Sequence, residues 1–243
     1  MMSGQTPPQS LTIKSPKIAW LVILRFFVTT LLLMAVLFLA AGKLDWWEGW
    51  AYVAQAFIVL VFSRAILIRK NPDLARERAE AGGKENVKPW DRVLMPLMSM
   101  LLPVAGYIVA GLDERFGWSA DLPDGIQIIA LLLIFAGSMI GTWAMIANRF
   151  FSSHVRIQTE RGHTVVSSGP YRFVRHPGYA GGILAWIASP VFFSSTWAAV
   201  PAVLAVAVAI IRTALEDRTL QAELPGYKDY VKIVRSRLVP GIW

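Results

Sequence analysis

From residue 177 to residue 211 the chain carries no charged side chain. That run is 35 residues long, whereas one membrane-spanning helix needs about 20. Ser189-Pro190 and Ser194-Ser195-Thr196 offer breaks within it. The run therefore predicts a helical hairpin, 178–193 and 197–211, whose second arm can continue into the polar stretch 212–224. Each arm is short for a ~30 Å hydrocarbon core.

Four more apolar blocks precede the hairpin, at 20–42, 51–68, 93–112 and 125–147. The first is too long for a signal-peptide core of about 7–15 residues, so it reads as a retained span. Arg25 lies near its inner end, where it can snorkel. The chain is 55% hydrophobic and only 16% charged, against about 45–50% and 25% in soluble domains. These observations predict an all-α, polytopic membrane protein of about six transmembrane helices, including the C-terminal hairpin. Trp46, Trp47 and Trp50 sit between the first two spans, as interface anchors do. Cysteine is absent, which excludes a disulfide frame, a thiolate metal site and a cysteine nucleophile. With three histidines in all, no metal centre is expected.

The charged loop 69–92 begins with Asn71-Pro72-Asp73, a helix-start pattern, and Gly82-Gly83 would end that helix. It reads as a short surface helix over 73–81 within a solvated connector. After the hairpin, Pro225-Gly226 breaks the chain. Tyr227, Tyr230, Val231 and Val234 then share one helical face, with Lys228, Lys232 and Arg235 off it. That segment is an amphipathic helix, lying in the membrane interface or packed on the polar region.

The net charge of +8 is explained by topology. With six alternating spans, nearly all basic residues fall on one side. Only Lys43 and Arg115 lie opposite, and Arg25 and Arg64 sit within span ends. The positive-inside rule puts both termini in the cytoplasm, the protein in the inner (plasma) membrane, and removes any need for a nucleic-acid partner. The chain divides into 1–147, a polar tail with four spans, and 148–243, which holds the chemistry.

Three polar segments then meet on the cytoplasmic face: 69–92, 148–176 and 212–243. The stretch from His163 to Tyr179 concentrates His163, Tyr171, Arg172, Arg175, His176 and Tyr179 between the turn pairs Gly169-Pro170 and Pro177-Gly178. S-adenosylmethionine needs partners for a carboxylate and an ammonium, an aromatic or apolar slot for adenosine, and a dry approach to its sulfonium. Arg172, Arg175, His163 and His176 can serve the carboxylate and adenosine. Tyr171 and Tyr179 can line the slot, and Glu216 can pair with the ammonium or a ribose hydroxyl. Arg212 and Glu216 are spaced i, i+4, either as a plain surface ion pair or as a pair holding substrate and cofactor. Asp217 points about 100° away from Glu216 and reads as a supporting neighbour. His176 alone carries little weight, and Pro177 is also ordinary helix punctuation.

The string Gly169-Pro170-Tyr171-Arg172-Phe173-Val174-Arg175-His176-Pro177-Gly178-Tyr179, with Glu216-Asp217-x-x-Leu220 and Gly226-Tyr227-x-x-Tyr230, resembles the isoprenylcysteine carboxyl methyltransferase family, including its bacterial members. The resemblance covers roughly 148–243. It implies that His163, Thr164, Val165 and Val166 form a cofactor-binding strip. It also implies that Tyr171 and Glu216 bind the cofactor, and that His176, Pro177, Gly178 and Tyr179 form its His-Pro-x-Tyr loop. Gln158 matches a further cofactor contact, at a spacing to His163 that differs from the family's. Arg212 matches an arginine near the acceptor carboxylate. Where the family often has two glutamates, this chain has Glu216-Asp217.

The expected function is S-adenosylmethionine-dependent methyl transfer to a lipophilic acceptor that enters from the membrane. A carboxylate acceptor such as a prenylcysteine-like group is ionised near neutral pH and needs no base. A lipid amine would need one, and Glu216 is the candidate. The rival readings are an NADPH-dependent membrane reductase of the sterol-reductase-like type and a membrane scaffold without a cofactor.

Overall fold

The computed structural model describes residues 16–79 and 86–243, with the side chains of 27–75 and 86–243. It is all-helical, with no strand among the described residues. Helix α1 (Pro16–Ala41) is followed by α2 (Trp47–Lys70) and the short α3 (Pro72–Ala79). Next comes a rod made of α4 (Asp91–Pro96), a π turn (Leu97–Leu101) and α5 (Leu102–Phe116). Helix α6 (Asp124–Ala147) leads into the polar segment, and α7 (Pro177–Phe192) and α8 (Ala199–Glu223) form the hairpin. The short α9 (Tyr227–Ile233) follows.

Four of these, α2, the α4–α5 rod, α6 and α8, are long and apolar enough to cross a membrane. The stretch Phe27–Ala41 of α1 is also apolar, and α7 has 16 residues. At 1.5 Å per residue α7 reaches only about 24 Å. Phe57, Ile58, Leu132, Leu133, Val203 and Leu204 point outward, as lipid-facing side chains do.

Helix α3 begins at Pro72 as its start signal predicts, while the expected stop at Gly82-Gly83 lies outside the described residues, as does the Arg25 side chain. Leu74 of α3 is fully buried in a cluster with Leu67 and Met145. The Asn71 side-chain amide also donates to the Ile146 carbonyl at 2.6 Å. The third span is longer than its apolar block because the first turn of α4 and the last turn of α5 carry polar residues. Pro96 precedes the π turn and Pro103 follows it. Proline removes backbone donors, which is how regular i→i−4 bonding is displaced there.

The hairpin breaks at 193–198, at the expected Ser194-Ser195-Thr196 and not at Ser189-Pro190. Pro190 is tolerated inside the last turn of α7. Ser194 adopts φ 51°, and its hydroxyl accepts from the Leu122 N–H and the Gln127 amide. Those two bonds fix the turn. Trp46, expected at the interface, is instead 3% exposed, edge-on to Phe38 and close to Phe193. Trp47 and Trp50 remain exposed.

The crossing of α6 with α7 sets the position of the site. A Cβ on Gly181 would lie 2.3 Å from the Gly137 carbonyl, and one on Gly137 would lie 2.4 Å from the Gly181 carbonyl. Only two glycines allow backbones this close. The contact holds the first turns of α7 against the middle of α6.

Candidate functional site

A cavity of about 330 Å³ opens where α6 ends, α7 begins and α8 leaves the bundle. Its walls come from the end of α4 and the π turn (Met95, Met98, Ser99), the loop 148–156, the strip 163–166, Tyr171, Arg175 and His176, α7 as far as Trp186, the second half of α8 and the start of α9. Sequence-distant segments thus share one chamber, most of it drawn from the polar segments expected to meet.

One hydroxyl joins the two residues singled out on α8. Tyr179 donates to Glu216 Oε2 at 2.5 Å and accepts from Arg212 Nη1. Arg212 does not form the plain i, i+4 ion pair. Its Nε donates to Asp91 Oδ1 at 2.6 Å and its Nη2 to the Ser153 carbonyl at 2.9 Å. The guanidinium also lies 5.3 Å from the centre of the Tyr179 ring. A guanidinium has five N–H donors. Three of Arg212's are held in this way, so the charge is fixed in orientation with donor capacity left.

Asp91 is fully buried at the first turn of α4. Its second oxygen accepts from the Val155 N–H at 2.8 Å and faces His154 Nδ1 at 3.2 Å. A buried carboxylate is tolerated only when paired and hydrogen-bonded, and Asp91 meets that condition on both oxygens.

Asp217, one residue on, is also fully buried. Arg175 binds it through Nε at 2.8 Å and Nη2 at 3.1 Å, the two-pronged geometry guanidinium favours. Gln221 and Arg237 donate to Oδ2 at 2.8 Å and 3.0 Å, and the Tyr227 hydroxyl donates to Oδ1 at 3.1 Å. His176 Nε2 lies 3.2 Å from the same oxygen. Arg175 Nη1 caps the Val234 and Arg235 carbonyls at 2.8 Å and 2.6 Å. The backbone N–H groups of Arg175 and His176 donate to the Ser236 and Arg237 carbonyls. The carboxylate of Asp217 therefore fastens the loop, α8, α9 and the tail together.

The amphipathic helix α9 packs on this region rather than lying apart from it. Tyr227, Tyr230, Val234 and Leu224 bury one cluster with Val165 and Leu220 against it. The Tyr230 hydroxyl donates to the Tyr171 carbonyl at 2.5 Å. Burial pushes the Tyr230 and Tyr227 hydroxyls above their ordinary range, and the Asp217 charge pushes Tyr227 further. Burial likewise raises the Tyr171 hydroxyl, against the opposing effect of the Asn148 amide that donates to it.

His163 packs on Phe150, ring centres 4.5 Å apart, and its Nδ1 accepts from the Gln158 N–H at 3.3 Å. Burial, followed by the charges of Arg161 and Arg156, lowers its pKa from 6.5 to about 4. It is a neutral ring at physiological pH.

Of the residues predicted for the site, His163, Thr164, Val165, Val166, Tyr171, Arg175, His176, Gly178, Tyr179, Arg212 and Glu216 all line the cavity. Gln158 and Pro177 do not. Gln158 is fully buried, donating to the Phe150 carbonyl at 2.7 Å and accepting from Arg161 at 2.5 Å. It shapes the loop. Pro177 opens α7. The Arg175 guanidinium is engaged by Asp217 and two carbonyls, and Arg172 is exposed on its own Gly169 carbonyl. Sequence reasoning missed Asp91, His154 and the π-turn residues. Asp91 sat in a loop read as a connector, and His154 had no motif around it.

Apolar helices facing outward and a chamber of charged and aromatic side chains at one end define a membrane-embedded protein with a built polar site. Residues 128–222 match the sequence model of the isoprenylcysteine carboxyl methyltransferase (ICMT) family, so the resemblance read from Gly169–Tyr179 and Glu216 holds. Over 60 residues the chain is 33% identical to the "Probable protein-S-isoprenylcysteine O-methyltransferase" of Oryza sativa subsp. indica, covering 24% of this chain and 31% of the relative. The protein of the same name from Oryza sativa subsp. japonica matches equally. Over 112 residues it is 32% identical to the "Cobalt-zinc-cadmium resistance protein CzcN" of Cupriavidus metallidurans, covering 45% of this chain and 50% of that protein. The matched segments span a third to a half of these relatives' lengths.

Proposed function

We propose that this protein transfers a methyl group from S-adenosylmethionine to the carboxylate of a lipophilic acceptor, such as a prenylcysteine-like group, at the cytoplasmic face of the inner membrane. One observation carries the reading: a fixed cation and a fixed anion, Arg212 and Glu216, bridged by the Tyr179 hydroxyl in the wall of a single cavity. The match over 128–222 supports the same chemistry.

The residues present fit the cofactor. Glu216 Oε1 has no hydrogen-bond partner among the described residues, so it can take an ammonium. Val165, Leu220 and Leu224 with the Tyr171 ring offer an apolar and aromatic slot, and neutral His163 offers a ring nitrogen beside it. Gly178 keeps the wall thin, since a Cβ there would meet Phe151 at 3.0 Å. A volume of about 330 Å³ falls in the ordinary range for small-molecule sites. When bound, S-adenosylmethionine supplies an electrophilic methyl group on sulfonium.

The chain's own residues then do the positioning. Arg212 holds the acceptor carboxylate with the donors left free by Asp91, Tyr179 and Ser153. Glu216 and Tyr179 hold the amino-acid end of the cofactor. His163, Thr164, Val165, Val166 and Tyr171 form the nucleoside wall. Arg175 and His176 act through Asp217 to keep that wall in place. No base is needed for a carboxylate, so orientation and exclusion of water account for the rate. The basic residues around the cavity end support a cytoplasmic orientation.

The test is calorimetric titration of S-adenosylhomocysteine into wild type and Glu216→Ala, with NADPH titrated in parallel. Loss of a charge-assisted contact should weaken binding roughly 10- to 100-fold in the variant. Equal affinities would remove Glu216 from the cofactor site. Binding of NADPH in place of S-adenosylhomocysteine would replace the methyltransferase reading with a reductase.

A further inference from the structure

The two oxygens of Asp91 serve two different side chains in the cavity wall. Oδ1 accepts from Arg212 Nε at 2.6 Å, and Oδ2 faces His154 Nδ1 at 3.2 Å. His154 lines the cavity, with its side chain 28% exposed. Its ring has no other hydrogen bond among the described residues. With a carboxylate oxygen opposite, Nδ1 carries the proton, and the neutral ring then bears its lone pair on Nε2. A carboxylate that orients an imidazole beside a binding site is the arrangement of a general base. Methylation of a carboxylate has no use for one.

We infer that His154, oriented by Asp91, is a proton acceptor for a second class of acceptor: a lipophilic phenol, whose oxygen must shed a proton as it is methylated. This rests on the methyl-donor reading above. Three classes of protic acceptor compete, and charge and acidity rank them. An ammonium is disfavoured by the fixed Arg212 guanidinium beside the site. An aliphatic alcohol, a much weaker acid than a phenol, gives an imidazole base less driving force for the proton transfer. A phenol, ionising near 10 like tyrosine, lies within reach of an imidazole base. Its developing negative charge would fall next to Arg212, whose remaining donors favour it.

The step balances. The phenol oxygen forms a bond to the methyl carbon as the carbon–sulfur bond breaks, and the electron pair of that bond stays on sulfur as a thioether. The phenolic proton passes to His154 Nε2, and the imidazolium later releases it to water. Asp91 does not touch the acceptor. It holds the tautomer and stabilises the charged ring. Asp91 lies outside the segment matched to the family, and His154 lies within it.

The experiment uses the full chain in detergent, labelled S-adenosylmethionine, and two probes: a long-chain alkylphenol and a prenylcysteine carboxylate. Wild type is expected to methylate both. His154→Gln should lower phenol methylation by roughly 10²–10⁴-fold, the usual worth of a positioned base, and the phenol-to-carboxylate ratio should fall with it. Added imidazole should restore phenol turnover in His154→Ala. The inference is overturned by wild type that binds S-adenosylhomocysteine yet leaves the phenol unmethylated. It is equally overturned by His154→Gln losing both acceptors in the same proportion. Wild type that binds no S-adenosylhomocysteine overturns the donor reading itself, which is a separate failure.

Discussion

Arg212 and Glu216 sit one helical turn apart on α8 and make no ion pair with each other; both bind the hydroxyl of Tyr179, which donates to the glutamate and accepts from the arginine. The hydroxyl keeps opposite charges in register without neutralising them. Each retains capacity for a ligand.

Tyr179→Phe removes that hydroxyl and little else. Both charged groups lose one hydrogen bond, each worth about 1.5–3 kcal/mol when a partner is ionised. Methyl-transfer kcat/KM should drop by about ten- to a hundredfold, and the unfolding midpoint should fall with it, since the same two bonds also stabilise the fold. A variant with wild-type kcat/KM would show that the bridge plays no part in turnover.

Asp217→Asn tests the buried hub. It leaves Arg175 inside the protein facing a neutral amide, with Arg237 also unpaired. Breaking a buried pair from one side costs about 3–5 kcal/mol. Scanning fluorimetry in detergent should show a clear fall in the unfolding midpoint. An unchanged midpoint would mean the hub can be dissolved without loss.

Gly181→Ala places a methyl group 2.3 Å from the Gly137 carbonyl. Since both atoms belong to helix backbones or their first carbon, α6 and α7 must part. Overpacking of this kind costs about 1–3 kcal/mol, and the first turn of α7 shifts away from the cavity. Both stability and S-adenosylhomocysteine affinity should decline. Retention of both would contradict the close crossing.

His163 gives a pH signature. Its folded pKa, about 4, lies below its ordinary 6.5, so between these values the unfolded chain takes up a proton that the folded chain refuses. Stability is fully present above about 6.5 and declines as pH falls towards 4, with the sign fixed by linkage. His163→Gln removes this contribution. Its unfolding midpoint should fall less than wild type's between neutral and acidic pH, and parallel curves would show that the ring is not held neutral.

The spans and the hairpin were legible because apolar blocks that long admit one solution, and Pro177, Pro225 and Gly226 punctuate them clearly. The cavity strip was legible as a motif, His163 to Tyr179. What each polar side chain does inside it was not. Arg175 reads as a ligand for the cofactor, yet its donors go to Asp217, Val234 and Arg235. Asp217 was recognised as turned away from Glu216, and that turn is what carries it into the hub. Asp91 was invisible because its partner Arg212 is 121 residues away, and no local pattern marks an acid in a charged loop as buried. Trp46 looks like its neighbours in sequence, and only packing against Phe38 and Phe193 distinguishes it.

Arg175 leans on carbonyls from residues 234 and 235, and the backbone of 175–176 donates to 236–237. Those carbonyls follow the end of the hairpin at Glu223 in the chain, so they are synthesised after it. The bundle can therefore be inserted while its chamber is still open on one side, and the ribosome must deliver the tail before that wall can close. The wall around Asp217 is therefore the last part of the chamber to be completed, once α9 and the residues after it have docked.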